Sequence, residues 1–223
     1  MSSRNIIFSE DEYYHCYSRG VEKRVIFSSP ADYQRFTELL FASNSTSRIH
    51  VSDFLKHNRG QVFSIERPDT LVHIGAYVLM PNHFHILVRE KQKGGLSLFM
   101  QKLVTGYTMY FNKKYERSGA LFGSRFKAEH LSSDNYLKYI FSYIHLNPVK
   151  LIDGEWKTRG VRDVDKTQSF LSKYLYSSYP DYIGKLRKES AILEQGAFPL
   201  YFKNEGDFLA EICEWLSYVK VGP

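Results

Sequence analysis

Cysteine and long apolar runs are both scarce in this chain of 223 residues. The two cysteines, Cys16 and Cys213, are too few for a disulfide framework, and no CxxC pair suggests a thiolate zinc site. No stretch approaches the roughly 20 apolar residues of a membrane span. Acidic residues interrupt the opening MSSRNIIFSEDEYY before the apolar core of a signal peptide can form. These absences predict a soluble protein of the reducing cytoplasm with no membrane partner.

What is present is a large apolar fraction and a local excess of positive charge. Hydrophobic residues make up 43% of the chain and aromatic residues 16%, which is enough to bury the core of one large domain or of a small domain with an extension. Lys and Arg number 30 against 24 Asp and Glu. The excess lies between Arg89 and Lys127, where nine basic residues face only two acidic ones. This concentration indicates an acidic partner.

The basic segment is also rich in aromatic side chains, namely Phe99, Tyr107, Tyr110, Phe111, Tyr115, Phe122 and Phe126. Basic side chains neutralise phosphates and aromatic faces stack on unpaired bases, so the combination is typical of a nucleic-acid surface. The composition leaves a solvated helix face open as the alternative. The predicted phosphate contacts in this segment are Lys102, Lys113, Lys114, Arg125 and Lys127. Arg19 and Lys23, which follow the first predicted strand, are further candidates.

Hydrophobic periodicity and turn residues predict an alternation of strands and helices. Strands are expected over 13–19, 71–80, 83–89 and 120–131, and helices over 30–43, from 96 through 111, and from 134 to near 148. The order βαββαβα predicts an α+β, ferredoxin-like antiparallel sheet with its helices packed on one face. The predicted core is 1–152 with an insertion-like segment at 44–70. The remainder, 153–223, is predicted to be a C-terminal extension with short helices near 175–186 and 206–219.

Two histidines stand out in PNHFHILV, residues 81–88. The period of two in a strand places His83 and His85 on one face and Phe84 on the other. Two imidazoles at this spacing are able to chelate one metal ion. Histidine pairs that serve only as hydrogen-bonding groups are common, so the spacing alone leaves both interpretations open.

A tyrosine and an asparagine share one flank of the last predicted helix of the core. Tyr143 and Asn147 are separated by four residues and therefore lie on the same side of the helix. His145 lies roughly 200° from Tyr143 around the helix and should not share its site. Tyr143 is a possible nucleophile and Asn147 a possible metal ligand. With 17 tyrosines in the chain, a tyrosine that only packs or forms a hydrogen bond is the alternative.

Several motifs in a fixed order resemble the REP-associated tyrosine transposases, which are single-tyrosine transposases of the HUH endonuclease superfamily. They are YHCYSRGVEKRVIF (14–27), YVLMPNHFHILV (77–88), the basic aromatic segment (96–127), YIHLNPVKL (143–151) and YLYSSYPDYIG (174–184). The resemblance covers residues 13 to about 151, apart from 44–70, which is longer than the usual link in the family, and it resumes near 174–184.

The resemblance implies a role for four residues. His83 and His85 match the two histidines of the HUH motif, Tyr143 matches the nucleophilic tyrosine, and Asn147 matches the polar residue that completes a site for Mg²⁺ or Mn²⁺. The implied reaction is cleavage of single-stranded DNA through a 5′-phosphotyrosine intermediate, followed by rejoining to a 3′-hydroxyl. The implied partner is a hairpin, such as a REP-like palindrome, and REP-associated relatives tend to act as monomers.

Two other functions are compatible with the same residues. One is a single-stranded nucleic-acid-binding module without catalysis, in which the histidines and Tyr143 only contact nucleotides. The other is a metal-dependent hydrolase that uses the histidines to activate water.

Overall fold

The computed structural model describes residues 6–49, 51, 54 and 61–217 of the chain. The strands and helices that form the sheet and its cover follow the predicted order: β1 (Tyr13–Arg19), α1 (Pro30–Ser43), β2 (Val72–Met80), β3 (His83–Glu90), α2 (Gly95–Lys114), β4 (Lys127–His130) and α3 (Asp134–Leu146). Within the described residues, no helix is both long enough and apolar enough to cross a bilayer.

Local sequence signals explain where the first and last of these helices begin. α1 starts with Pro30, whose missing amide hydrogen costs nothing there, and the Asp32 carboxylate accepts the amide hydrogens of Ser28 and Ser29 at 2.8 and 2.9 Å. α3 starts after Ser133, whose hydroxyl accepts the Tyr136 amide. The prediction of both start positions is confirmed.

The four strands form one antiparallel sheet in the order β2-β3-β1-β4. β2 and β3 form a hairpin around the Pro81–Asn82 turn, while α1 and α2 connect strands that are not neighbours. β1 is central and pairs Tyr17 with His85 on one side and with Lys127 on the other. This arrangement confirms the predicted α+β, ferredoxin-like class.

The prediction that the helices pack on one face is wrong. α1 and α2 cover the face that carries Tyr14, Cys16 and Phe84, whereas α3 packs on the opposite face against Val78 and Leu87. Since β2 is buried on both sides, its sequence is an almost continuous apolar run rather than an alternating one. α3 therefore forms a second helical layer, on the face of the sheet that carries the odd-numbered side chains of β1 and β3.

Two segments differ from the predicted boundaries. The strand expected over 120–131 is regular only over β4. Leu121 and Phe122 are buried in an irregular segment, and Phe122 forms an isolated bridge to Gly20, which follows β1. The segment 44–70 is closed at its base by a bridge between Ser45 and Thr70 and contains a 3₁₀ turn over Val62–Ser64. Its positions 50, 52–53 and 55–60 lie outside the described residues.

The C-terminal part packs directly on the sheet. It contains α4 (Trp156–Arg159), α5 (Val164–Lys173), α6 (Tyr179–Tyr182) and α7 (Glu205–Ser217). The Ser178 hydroxyl accepts the Tyr77 amide at 2.9 Å, and the Tyr176 carbonyl accepts the Leu79 amide at 2.9 Å. The helix expected near 175–186 is a single turn, and α5 was not predicted. The helix expected over 206–219 is present as α7, although positions 218–219 lie outside the described residues. The boundary at 152 stays a prediction.

One buried carboxylate ties α1 to α2, and its removal is expected to be costly. Asp32 is fully buried and accepts hydrogen bonds from Lys114 at 2.6 Å and Tyr115 at 2.7 Å. Asp32→Ala should lower the free energy of unfolding by about 3 kcal/mol, the low end for breaking a buried pair, because Lys114 is partly exposed. Urea denaturation measures this loss. Asp69→Ala, which removes an exposed partner of Lys91, is the control and should change stability little.

The same carboxylate predicts how stability depends on pH. Burial alone would raise the pKa of Asp32, but the hydrogen bonds from Lys114, Tyr115, Ser28 and Tyr110 outweigh it and hold this pKa below its usual value. The carboxylate therefore stabilises the fold fully above the unfolded pKa near 4, and this contribution is lost as the pH falls through the lower folded pKa. The Asp32→Ala protein should lack this part of the acid dependence.

Candidate active site

The paired histidines project from β3 toward α3. His83 and His85 lie on the same face of the strand, with ring centroids 5.1 Å apart and ring planes nearly perpendicular. The Nδ1 atom of His83 is 2.6 Å from the Asn82 side-chain oxygen, and the Nδ1 atom of His85 is 2.8 Å from Nε2 of His15. Each ring is thus oriented through Nδ1 and retains Nε2 for another partner.

Both imidazoles are neutral near pH 7. Burial, helped by the positive charges of Arg19 and Lys150, lowers the pKa of His83 to about 4. Burial, the neighbouring histidines and the same cations hold the pKa of His85 well below its usual value. A neutral ring with one free nitrogen is the form of histidine that binds a metal ion.

α3 brings Tyr143 and Asn147 to the histidines. The Tyr143 ring lies 5.4 Å from the His85 ring and nearly perpendicular to it. Asn147 begins the 3₁₀ turn Asn147–Leu151 that continues α3, and the polar atoms of its side chain influence the pKa values of both His83 and Tyr143. The four residues that the resemblance identifies therefore lie close together, and their roles stay predictions.

The Asn147 amide is buried without a well-placed hydrogen-bond partner among the described residues. Asn147 is 1% exposed, and within the described part of the chain neither Oδ1 nor Nδ2 has a partner in hydrogen-bond geometry. The side chain is nevertheless close enough to His83 and Tyr143 to shift the pKa of both. A buried polar group left unpaired costs about 1–3 kcal/mol, so native structures rarely contain one without a reason. A ligand that takes the amide oxygen would remove the share of this cost that is due to Oδ1.

The donor set fits a divalent ion with open coordination positions. It would consist of two neutral imidazoles, from His83 and His85, and the oxygen of the Asn147 amide. Such mixed nitrogen and oxygen ligation suits Mg²⁺ or Mn²⁺ that keeps places for water and a phosphate oxygen. Among the residues that the structure describes, no three His, Cys, Asp or Glu side chains are arranged so that they could hold a metal ion, so the third ligand would have to be an amide.

The Tyr143 hydroxyl is protonated at neutral pH. Burial is the largest effect and raises its pKa above the ordinary value. The Asn147 side chain and the charge of Arg19 lower this pKa, the charge of Glu129 raises it, and the net shift is upward. A phenol in this state becomes an effective nucleophile only if its proton is removed as attack proceeds. His145, two residues on, is directed away and its Nε2 lies 2.7 Å from the Ser178 hydroxyl, which confirms that it does not share the site.

Three residues of the site were missed by reasoning from the sequence. His15 and Tyr17 on β1 and Glu129 on β4 line a cavity of about 230 Å³ together with His85, Ile140 and Tyr143. His15, Tyr17 and Arg19 are every second residue of β1, and the period of two in a strand indicates that they share a face. That this face also carries the paired histidines depends on the pairing of β1 with β3, which the sequence does not reveal.

A group of cations surrounds Tyr143. The Lys157 ammonium lies 4.4 Å from the centre of the Tyr143 ring, the Lys150 ammonium lies 5.8 Å from it, and the charge of Arg19 also acts on it. None of the three forms an ion pair with a carboxylate in the described ranges. Burial and then Arg19 lower the pKa of Lys150, and burial and then Lys150 lower that of Lys157. An anion near Tyr143 would relieve this repulsion.

The other predicted phosphate contacts are divided between the two faces of the sheet. Lys127 pairs with Tyr17 in the sheet register and is thus on the side of Tyr143, with Arg125 two residues before it. Lys23 lies in an exposed turn after β1. Lys102, Lys113 and Lys114 are on α2, behind the sheet.

Two of the α2 lysines are engaged within the protein. The Lys102 ammonium donates to the carbonyls of Ser45 and Ser47 at 2.6 and 3.2 Å, and the Lys114 ammonium donates to Asp32. Lys113 remains exposed beside a groove of about 1080 Å³ that the α2 lysines border. Contact of these three residues with DNA stays a prediction, and it concerns a surface apart from Tyr143.

Removing the charges next to Tyr143 is expected to weaken the salt dependence of single-stranded DNA binding. Lys150→Gln with Lys157→Gln should lower the magnitude of the slope of log K against log salt by about 1.4, because each lost phosphate contact removes about 0.7. Titrations at several salt concentrations measure the slope. Lys113→Gln is the matched control on the other face. A slope reduced only in the control would place the DNA strand against α2.

The fold and the site together define an α+β protein in which two strand-borne histidines face a helix-borne tyrosine and an unpaired amide. Residues 39–147, which include all four, match the model of the family described as "Transposase IS200 like". Just under half of the chain is therefore similar to this family, and the resemblance found in the motifs is confirmed.

One solved structure is similar to almost the whole chain. It is described as "Structure of the REP associates tyrosine transposase bound to a REP hairpin" and has a TM-score of 0.51 and 14% sequence identity, with 92% of each chain covered. At this identity the likeness establishes a common fold. No curated protein sequence matches the chain.

Proposed function

We propose that this protein is a metal-dependent transposase that cleaves and rejoins single-stranded DNA through a phosphotyrosine on Tyr143. The observation that carries the proposal is the buried Asn147 amide, which is beside both His83 and Tyr143 but has no partner in hydrogen-bond geometry among the described residues. A passive binding module has no need for an unpaired amide between a neutral imidazole and a phenol. A site for an ion and a phosphate accounts for all three groups.

In the proposed reaction Tyr143 attacks the scissile phosphorus. Its oxygen forms the new P–O bond, the bond to the 3′ oxygen of the neighbouring nucleotide breaks, and the proton of the phenol is transferred through solvent to the departing 3′ oxygen. The products are a 5′-phosphotyrosine and a free 3′-hydroxyl. Because the phosphodiester is conserved in the tyrosyl link, a 3′-hydroxyl of another strand reverses the step and joins DNA without a nucleotide cofactor.

His83, His85 and Asn147 would hold the divalent ion. When bound, the ion would supply Lewis-acid stabilisation of the charge that develops on the phosphate oxygens. The protein's own groups orient the reactants: the perpendicular His85 ring limits where the Tyr143 ring can move, and Arg19, Lys150 and Lys157 attract the strand to it. The position of Tyr143 on a helix requires a flexible strand, which favours single-stranded DNA.

We propose a hairpin with single-stranded flanks as the substrate and a monomer as the active species. The structure similar in fold is that of a transposase bound to a REP hairpin, which supports a hairpin here. For the oligomeric state, α3 packs on the sheet of its own chain, and Tyr143 reaches His85 without a second copy.

A single incubation separates this function from its two rivals. Full-length protein, a hairpin oligonucleotide with labelled flanks and Mn²⁺ are mixed, and the products are resolved on a denaturing gel. A covalent complex between the protein and the 5′ end of DNA supports the transposase. Cleavage without that complex would indicate a hydrolase, and binding without cleavage would indicate a passive module.

A further inference from the structure

His15 stands between His85 and an anchored carboxylate. Its Nε2 atom is 2.8 Å from Nδ1 of His85, with the two rings stacked at a centroid distance of 5.0 Å. Its Nδ1 atom faces Glu129 at 3.8 Å, which is too long for a direct hydrogen bond but close enough for electrostatic attraction. His15 is 4% exposed, so solvent provides few alternative partners.

Glu129 is held in place by two hydroxyl groups from different elements. Tyr17 on β1 donates to one carboxylate oxygen at 2.8 Å, and Tyr136 on α3 donates to the other at 2.9 Å. Burial would raise the pKa of Glu129, but these two hydrogen bonds and the adjacent His15 outweigh it and keep the pKa below its usual value. The group beside His15 is therefore a fixed negative charge.

The bond between the two rings admits two arrangements of one proton. The two nitrogens are 2.8 Å apart, so one of them donates and the other accepts. Burial lowers the pKa of His15 to about 4 and holds that of His85 well below its usual value, which leaves both rings neutral near pH 7. If the proton belongs to His85 Nδ1, the Nε2 atom of His85 has a free lone pair and His15 carries its own proton on Nδ1, toward Glu129. If the proton belongs to His15 Nε2, the His85 Nε2 atom is protonated and blocked, and an unprotonated Nδ1 of His15 faces a carboxylate. The second arrangement is unfavourable, because it places the Nδ1 lone pair of His15 opposite the negative charge of Glu129.

We propose that His15 is a positioning residue that accepts the Nδ1 proton of His85, under the influence of Glu129, and so holds the Nε2 lone pair of His85 ready for a ligand. The proposal rests on the proposed function for the identity of that ligand, a divalent ion. The tautomer of His85 does not depend on the proposed function, because it is a property of the chain alone. Partners of this kind orient a ligating imidazole and typically change metal affinity by about 10–100-fold when they are removed.

The tautomer is measurable in the full-length protein with no metal added. Long-range ¹H–¹⁵N correlation spectra at pH 7.5 distinguish a proton on Nδ1 from one on Nε2. We expect Nδ1–H for both His85 and His15. An Nε2–H tautomer of His85 in the wild-type protein would overturn the proposal, whatever the variants show.

Three variants test whether His15 is the cause of the His85 tautomer. His15→Phe keeps an aromatic ring but offers no acceptor, so His85 should lose its Nδ1–H preference. The affinity for Mn²⁺, followed by the paramagnetic resonance signal of the free ion, should then fall about 10–100-fold. His15→Gln retains a side-chain oxygen and should restore much of both. His130→Gln alters a histidine on neighbouring β4 whose Nε2 bonds Glu12 instead, and should change neither. His15→Phe that keeps both the tautomer and the affinity would exclude a positioning role.

Two further results separate a failure of this inference from an unfolded variant and from a failure of the proposed metal site. If His15→Phe does not fold, Glu129→Gln is the alternative variant, because it removes the charge and leaves His15 in place. We expect it to weaken the Nδ1–H preference of His85. An unchanged preference would contradict the role of Glu129. A wild-type protein that shows the expected tautomer but binds no Mn²⁺ would contradict the metal site of the proposed function. It would leave the positioning of His85 by His15 supported.

Discussion

Tyr143→Phe is expected to eliminate the covalent complex between protein and DNA while leaving the fold and hairpin binding intact. The substitution removes one oxygen atom and keeps the ring that contacts His85. The hydroxyl lies in the site rather than in the core, so the loss of stability should be below about 1 kcal/mol. If the oxygen forms the bond to phosphorus, no other change in the reaction compensates for its absence, and the product must vanish rather than diminish.

A weaker effect would assign a different role to Tyr143. Loss of a general acid or base typically lowers a rate by about 10²–10⁴, which leaves measurable cleavage in a long incubation. The neighbouring Tyr139, whose ring is 6.0 Å from that of Tyr143, and Tyr136, which is bonded to Glu129, are the substitutes that the helix offers. Tyr139→Phe is therefore the matched control and should retain the complex. Peptide mapping of the wild-type complex to Tyr136 or Tyr139 would contradict the assignment.

The parts of the fold that depend on local signals could be predicted from the sequence. α1 and α3 begin at capping residues, and the hairpin of β2 and β3 turns at Pro81–Asn82. The pairing of His83 with His85, and of Tyr143 with Asn147, follows from the periods of a strand and a helix. Each pair could thus be recognised separately, and the family resemblance joined them.

The parts of the fold and of the site that depend on tertiary packing could not be predicted from the sequence. The sheet order sets His15 beside His85 and Glu129 beside His15, across sequence separations that no local pattern encodes. Lys157 reaches Tyr143 from beyond the predicted core boundary. β4 was predicted too long because buried Leu121 and Phe122 have a strand-like apolar character, although they lack a regular partner strand.

The packing of α3 explains why the basic segment was an incomplete guide to the DNA surface. A concentration of Lys and Arg in the sequence indicates charge but not the side of the sheet on which it lies. Lys102 and Lys114 bind a carbonyl pair and a buried carboxylate, whereas Lys150 and Lys157, outside that segment, lie over Tyr143. Binding of the reacting strand and binding of a hairpin stem thus have separate candidate surfaces.

Replacing either histidine of the pair is expected to abolish cleavage but not hairpin binding. His83→Ala or His85→Ala removes one of three proposed ligands, and the affinity for Mn²⁺ should fall by more than about 100-fold, beyond the loss caused by removing a partner outside the ligand set. Phosphate contacts from basic residues supply most of the affinity for DNA, so the dissociation constant for the hairpin should change less than about threefold. Denaturing gels, Mn²⁺ titration and a binding assay without metal measure the three quantities.

The control for this pair is a histidine on the adjacent strand. His73 lies near the start of β2, where its register partner is Arg89 rather than a residue of the site, and His73→Ala should preserve cleavage and Mn²⁺ affinity. Since His85 is more deeply buried than His83 and is bonded to His15, His85→Ala should also reduce stability, whereas His83→Ala should not. His83→Ala is therefore the more decisive of the two. If that variant cleaves DNA at the wild-type rate, His83 is not a ligand, and Asn147 and His85 alone could not account for a metal-dependent reaction.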